Sequence, residues 1–319
     1  MSLAHNIPND KGLTARMLVT GMLIVILYVL FVGILFSIGL GIAWILIIAI
    51  GLLFSQYWFS DKIAMFSMHA HEVTESQAQA LHGVVDRLCA LADMPKPRVA
   101  IAMTDLPNAF ATGRSPKKAV VCATTGLLRR LDESEVEAVL AHELSHIAHR
   151  DVAVMTVASG LGMIAGLLTR MMLWAGLIGG GRGRGNNQNA FSIELFIMLV
   201  SLVVYFISFM LTMALSRYRE LAADRSGAIL IGRPSSLASA LVKINGEMGR
   251  IPTRDLRAAE PFNAFFFTPA LATKGAKSSS SGGRGGTGIS FGSLFSTHPS
   301  LERRLNQLAM IETQLGQSH

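Results

Sequence analysis

The chain has 319 residues, 51% of them hydrophobic and only 15% charged, with a mean hydropathy of +0.45. An ordinary soluble domain carries about 25% charged residues, so a wholly soluble protein is excluded and an integral membrane protein with a soluble part is expected. The formal charge of +7 is scattered, without a dense basic run or aromatic-interleaved patch, which argues against nucleic acid as a partner and for contact with anionic lipid headgroups.

Beyond Lys11 and Arg16, Leu18 to Phe36 is an uncharged apolar run long enough to cross a hydrocarbon core of ~30 Å as a helix. A cleavable signal peptide is disfavoured, because the run is too long and a second one comes at once after it. Ser37, Gly39 and Gly41 allow a reversal, and Ile42 to Phe59 returns with Tyr57 and Trp58 at an interface. Lys11, Arg16 and Lys62 carry the positive charge expected of the cytoplasmic side. Residues 1–60 therefore read as a transmembrane hairpin, and the chain beyond Lys62 as cytoplasmic.

From Thr74 to Ala92, Leu81, Val84, Val85, Leu88 and Leu91 recur at helical spacing, and Pro95 and Pro97 end the run. Cys89 lies in this stripe and Cys122 in the apolar run 119–122; outside any CxxC spacing, both read as buried small hydrophobes in a reducing compartment. Arg98 to Met103 alternates as a strand does, Leu106-Pro107 turns, Asn108 to Thr112 is short and extended, and Ala119 to Thr124 makes another strand. A small sheet thus precedes a helix that opens on a capping box, Asp132 with Glu135, and buries Val136, Leu140, Leu144 and Ile147.

That helix carries His142-Glu143-Leu144-Ser145-His146, an HExxH pattern. Four positions return a side chain to within roughly 40° of its start, so both imidazoles leave one face and can share one Zn²⁺. Glu143, about 100° further round, can take a proton from water during attack on a carbonyl without joining the ligands. Residues 61–151 are the first part of a catalytic domain on this reading.

Val152 to Ile178 is apolar apart from Arg170, which near a bilayer centre costs ~2.5–3.5 kcal/mol. Gly, Arg and Asn fill 179–189, and Phe191 to Leu215 is apolar apart from Glu194. Residues 152–216 form a second hydrophobic hairpin. Spanning arms place Arg182 and Arg184 outside, whereas an embedded hairpin keeps them cytoplasmic; spanning is favoured, because 191–215 is long enough to cross. Residues 217–319 are helical and soluble in character, with Leu237, Leu241 and Ile244 on one stripe, an aromatic stretch at 262–267 and a Ser/Gly-rich linker at 274–288. A last helix, with Leu301, Leu305, Leu308 and Ile311, opens at Thr297-His298-Pro299-Ser300.

A zinc site needs a third protein ligand. The metzincin pattern requires glycine at position 148 and histidine at 152, where this chain has Ala148 and Val152. His149 shares a face with the two histidines, but three ligands on one straight helix do not easily enclose a tetrahedral ion. Glu220 is the better candidate, because a hairpin between Arg150 and Ser216 returns the chain to the side it left, and Asp224 lies one turn further on the same face. The competing reading of 217–224 is a solvated helix of mixed charge.

Taken in order, 94–99 (MPKPRV), 108–113 (NAFATG), 142–146 (HELSH) with Asp151, 217–224 (RYRELAAD) and Thr297-His298-Pro299 resemble the HtpX family of membrane-bound zinc metallopeptidases, relatives of the CAAX prenyl endopeptidases in the HExxH-plus-Glu gluzincin group. The resemblance implies one Zn²⁺ per chain on His142, His146 and Glu220, with Glu143 as general base and then acid. It gives Asp224 to the orientation of a ligating imidazole, Asn108 and Ala109 to an edge strand that pairs with the substrate backbone, and His298 and Arg304 to the substrate or the oxyanion. His149, where relatives often carry Asn, and the long loops at 179–189 and 274–288 depart from the family.

The expected fold is α+β and mostly α, a zincin-like catalytic domain with a small sheet anchored by two hydrophobic hairpins, about four membrane helices in all. The expected partners are the lipid bilayer and polypeptide substrates. The family implies cleavage of misfolded or unassembled membrane proteins, as stress-related quality control, at the inner face of the cytoplasmic membrane. Two rivals are a processing endopeptidase for a defined substrate such as a prenylated tail, and a catalytically silent metal-binding membrane protein. The complete set of ligands and base argues against the second.

Overall fold

The computed structural model describes residues 11–37, 42–179, 188–248 and 298–317. The first apolar run forms α1 (Lys11–Ser37), the second α2 (Ile42–Trp58), followed by the short α3 (Ser60–Ser67). The reversal at 38–41, the Gly/Arg-rich stretch at 180–187, the aromatic stretch at 262–267 and the Ser/Gly-rich linker lie outside the described residues.

Four strands come next: β1 (Ala70–Glu72), β2 (Arg98–Ala102), β3 (Ala109–Thr112) and β4 (Val120–Thr124). They form one sheet in the order β1-β2-β4-β3, with β2 and β4 parallel and the outer pairs antiparallel. Period-2 alternation divides their side chains between two cores. Val99, Ala109, Val121 and Ala123 pack with Leu81, Val84, Val85 and Leu88 of α4 (Gln79–Ala92), while Ala100, Ala102, Phe110, Val120 and Cys122 pack with Ala64 and Met68. β4 is covered on both faces, which is why its sequence VVCAT shows no polar alternation. Both cysteines are buried and free. α4 starts later than its periodicity suggests, because Thr74 and Gln77 close a turn on each other first, with the Thr74 N–H on Gln77 Oε1 at 2.9 Å.

The chain then enters α5 (Thr125–Arg130) and α6 (Glu133–Ala148). The capping box of α6 is formed in both directions, Glu135 N–H to Asp132 Oδ1 and Asp132 N–H to Glu135 Oε2, each at 3.0 Å. Among the elements packed around α6 are α4, β3, α8 (Gln188–Ile231) and α9 (Pro234–Met248), so nearly every side of it is buried. The last helix, α10 (Leu301–Gln317), places Leu308, Ile311 and Leu315 in the same core as Leu237, Leu241 and Ile244 of α9.

α7 (Asp151–Gly179) and the first half of α8 bundle with α1 through Phe31, Leu35, Leu161, Leu168, Ile197 and Val204. Among the described residues, three helices are long and apolar enough to cross a membrane: Lys11–Ser37, Asp151–Met171 and Leu195–Ile231. α2, with 17 residues, stands at the lower bound of a spanning helix, about 17–25 residues, which brings the count close to four. Leu18 and Phe36 on α1 are 69% and 79% exposed, as side chains facing lipid are.

α8 runs for 44 residues without a break, straight through the 216/217 junction where hydropathy changes. Ser216 to Asp224 contains no Gly or Pro, so helix propensity carries the chain across the change in polarity. One helix therefore links the membrane bundle to the core built around α6. A second link joins α2 to the loop after β3: Tyr57 donates its hydroxyl to Arg114 O at 2.6 Å, and the Arg114 guanidinium lies 3.7 Å from the centre of the Trp58 ring.

Candidate metal centre

α6 presents His142 and His146 toward α8, and α8 approaches unusually closely at Gly227. A Cβ there would stand 2.8 Å from the His142 backbone nitrogen, a distance that real Cβ atoms do not adopt, so glycine is what lets the helices meet. The approach brings Glu220 against the histidines. His142 Nε2 is 3.1 Å from His146 Nε2, and the Glu220 carboxylate oxygens lie 3.7 Å and 3.5 Å from those two nitrogens.

The opposite ring nitrogens are already engaged. His142 Nδ1 lies 2.9 Å from Asp224 Oδ1, and His146 Nδ1 lies 2.5 Å from Asp151 Oδ2. An ionised carboxylate only accepts, so each imidazole is assigned its proton on Nδ1, and each Nε2 turns a lone pair inward. Burial lowers His142 below the ordinary histidine value, which keeps it neutral. Two nitrogen lone pairs and a carboxylate oxygen then converge with no proton between them, an arrangement that repels unless a cation shares it. A tetrahedral ion with bonds of ~2.0–2.1 Å separates its ligand atoms by roughly 3.3 Å, within the observed 3.1–3.7 Å.

Charge leads to the same conclusion. Arg304 donates from Nε and Nη2 to the two oxygens of Asp224 at 2.7 and 2.6 Å. Arg219 pairs with Asp151 and also donates from Nη1 to its backbone carbonyl at 2.9 Å. With those two carboxylates neutralised by arginines, Glu220 and Glu143 are left as two acidic groups in a buried site, and a divalent cation balances them. The donors present fit such an ion, and two imidazoles with one carboxylate is a donor set used by catalytic zinc.

Glu143 is not among the three converging ligands. It is buried, and that burial pushes its carboxyl up to about 8 against the lowering by a hydrogen bond from the Ala111 backbone. A cation held by the neighbouring residues favours the ionised form, which is the form that can accept a proton.

A cavity of about 430 Å³ opens in front of these groups, lined by β3, by His142, Glu143, His146 and Glu220, and by His298. His298, buried just ahead of α10, places Nδ1 3.1 Å from Glu220 Oε2. The cavity's membrane-facing wall includes Gln56 of α2 and Met155, Thr156 and Ser159 of α7.

β3 is one of the two edge strands of the sheet, β1 being the other. Thr124 N–H donates to Asn108 O, and Asn108 N–H donates to Thr124 Oγ1, both at 2.9 Å. With the register Ala109↔Ala123 and Ala111↔Val121, antiparallel alternation points the backbone of 108, 110 and 112 at β4 and that of 109 and 111 at the open edge. The resemblance gives Asn108 and Ala109 one role, but the structure separates them: Asn108 is buried with its backbone committed to Thr124, while Ala109 lines the cavity. Arg304 is likewise placed differently from a substrate-binding residue. It is 2% exposed and holds Asp224, behind the imidazole and away from the cavity lining.

His149 sits exposed at the C-terminal cap of α6, outside the ligand group. Asp151 and Arg219 are supporting residues to which the sequence reading assigns no role. The signal available was an aspartate directly after the HExxH helix; what makes it functional is the turn at Arg150, whose φ of +55° sends the chain into α7 with Asp151 folded back on His146.

Residues 75–312 match Peptidase family M48. The chain is 54% identical over 312 residues to a protein of Streptomyces coelicolor named Protease HtpX homolog 1, covering 97% of this chain and 96% of that one. It is 49% identical over 314 residues to a Protease HtpX homolog of Moorella thermoacetica, covering 98% and 99%. Among solved structures, the crystal structure of S. mikatae Ste24p aligns with a TM-score of 0.49 at 16% identity, over 92% of this chain and 66% of that one.

Proposed function

The chain belongs to Peptidase family M48, and from that premise we propose that it is a zinc endopeptidase of the cytoplasmic membrane that cuts misfolded or unassembled membrane proteins. One Zn²⁺ per chain would be held by His142, His146 and Glu220. The observation that carries the reading is the convergence of these three donors, each imidazole backed by its own carboxylate. Zinc in that position supplies a Lewis acid for the scissile carbonyl and for water.

The chain's own residues do the rest. Asp224 and Asp151 fix the tautomer and ring orientation of the two imidazoles, and Arg304 and Arg219 keep those carboxylates ionised. Glu143 accepts the proton of the attacking water and returns it to the leaving amine. His298, beside Glu220 at the cavity wall, donates to the oxygen on which negative charge develops. Ala109 offers backbone groups at the open edge, so a substrate is held by adding itself as a strand.

Strand addition selects for extended chain, which a folded protein does not present, and the cavity borders helices of the membrane bundle. Both features favour unfolded polypeptide at the bilayer surface. In proteoliposomes, a membrane protein destabilised by a point mutation should be cut at least about tenfold faster than its folded parent, at several sites. Equal rates with a single cut would instead identify a processing endopeptidase.

The positive flanks at Lys11, Arg16 and Lys62 support an active site on the cytoplasmic side. With Cys89 and Cys122 replaced by alanine, single cysteines at Asn187, Ser60 and Ser235 can be probed in intact cells with a membrane-impermeant thiol reagent. Label is expected at position 187 only. Label at 60 or 235 reverses the orientation, and no label at 187 makes the second hairpin an embedded one.

A further inference from the structure

A second cavity, of about 470 Å³, lies away from the metal centre, between the start of α1, α8 at Leu221 and the outer face of α10. Its depth can be read from the packing. Ile24 of α1, Ala158 of α7 and Leu215 of α8 form one buried layer. Arg16 precedes Ile24 by eight residues and Leu221 comes six after Leu215, so at 1.5 Å per residue the cavity stands roughly 9–12 Å beyond that layer. The apolar runs of both helices end just short of it, at Leu18 and Leu215. That is the depth of lipid headgroups on the side of the membrane where Glu220 lies.

Arg16 and Arg303 line this cavity from α1 and α10, with Glu302 as the one acidic residue of the lining among the described residues. Both arginines are exposed, and among the described residues neither forms an ion pair with a carboxylate. The charge of Arg303 also reaches Arg217 on α8, so positive charge gathers where three helices meet. Gln307 donates from Nε2 to Leu221 O at 2.9 Å, which ties α10 to α8 at the cavity wall. The lining therefore offers two guanidiniums for a phosphate and one exposed acceptor, Glu302, for a hydroxyl beside it.

We propose that this cavity binds the headgroup of an anionic phospholipid, its phosphate between Arg16 and Arg303 and its hydroxyl on Glu302. A phosphatidylglycerol headgroup carries both features. Phosphatidylcholine carries the phosphate but no net charge and no donor. Bound there, the lipid joins α10 to the N-terminal end of α1 across the membrane surface.

The test is native mass spectrometry of the full chain in detergent, titrated with phosphatidylglycerol or phosphatidylcholine of matched acyl chains, and with sn-glycerol 3-phosphate as competitor. A charge of this kind near an anionic surface contributes about fivefold to binding. Arg16→Gln with Arg303→Gln should therefore weaken phosphatidylglycerol retention by roughly 30-fold, down to the level of phosphatidylcholine. Arg16→Lys with Arg303→Lys should keep most of it, and both variants should melt as the parent does, because the two side chains are exposed. Parent-like retention in the glutamine variant overturns the proposal, as does equal binding of phosphatidylcholine. Full displacement by sn-glycerol 3-phosphate also overturns it, by making the cavity a site for a soluble phosphate ester.

Discussion

Glu143→Gln will lower peptide hydrolysis by about 10²–10⁴-fold, the usual contribution of a positioned general base, without lowering metal content. The amide occupies the same volume and still accepts the hydrogen bond from the Ala111 backbone, but it cannot take a proton from water. The carboxylate is not one of the three converging donors, so the metal ligands are untouched. Stability should hold or rise, since burial already pushes this carboxyl up to about 8 and the substitution removes a buried ionisable group. Cleavage of an unfolded polypeptide and metal analysis on one preparation separate the two effects. Turnover within a few-fold of the parent would take the base role away from Glu143.

The features legible in the sequence are the local ones. The α6 capping box, the i, i+4 pair of histidines and the extended runs of β2 and β4 each rest on neighbours a few residues apart, and the structure has them at those places. β1 escapes a reading by period because three residues, Ala70 to Glu72, are too few to show one; pairing to β2 defines that strand. The boundary that hydropathy draws at 216/217 is likewise not a boundary of secondary structure. Polarity changes at Ser216, but backbone hydrogen bonding does not notice polarity, and α8 continues.

The position of Glu220 is accessible only through topology, from the requirement that an apolar hairpin return the chain to one side. Gly227, which permits the close approach, carries no such signal, because a glycine inside a helix announces nothing until the opposing backbone is known. The same holds for the arginines. Arg304 resembles a substrate-binding residue by motif, yet whether a guanidinium meets a substrate or a buried carboxylate is decided by the fold, and here it meets Asp224. Asp151 and Arg219 are 68 residues apart and become one pair only when α7 and α8 are packed side by side.

The central claim is that the metal is held by two histidines of α6 and a glutamate carried back by α8. Loss of an outer partner of a metal ligand costs 10–100-fold in metal affinity as a rule, so removal of a ligand itself should cost more than about 100-fold. The direct measurement is zinc content by atomic absorption on three purified proteins, the parent, Glu220→Ala and His149→Ala, after dialysis against a weak chelator. The account predicts one zinc per chain in the parent and in His149→Ala, and a sharp loss in Glu220→Ala. Full zinc in Glu220→Ala, or loss in His149→Ala alone, would contradict it.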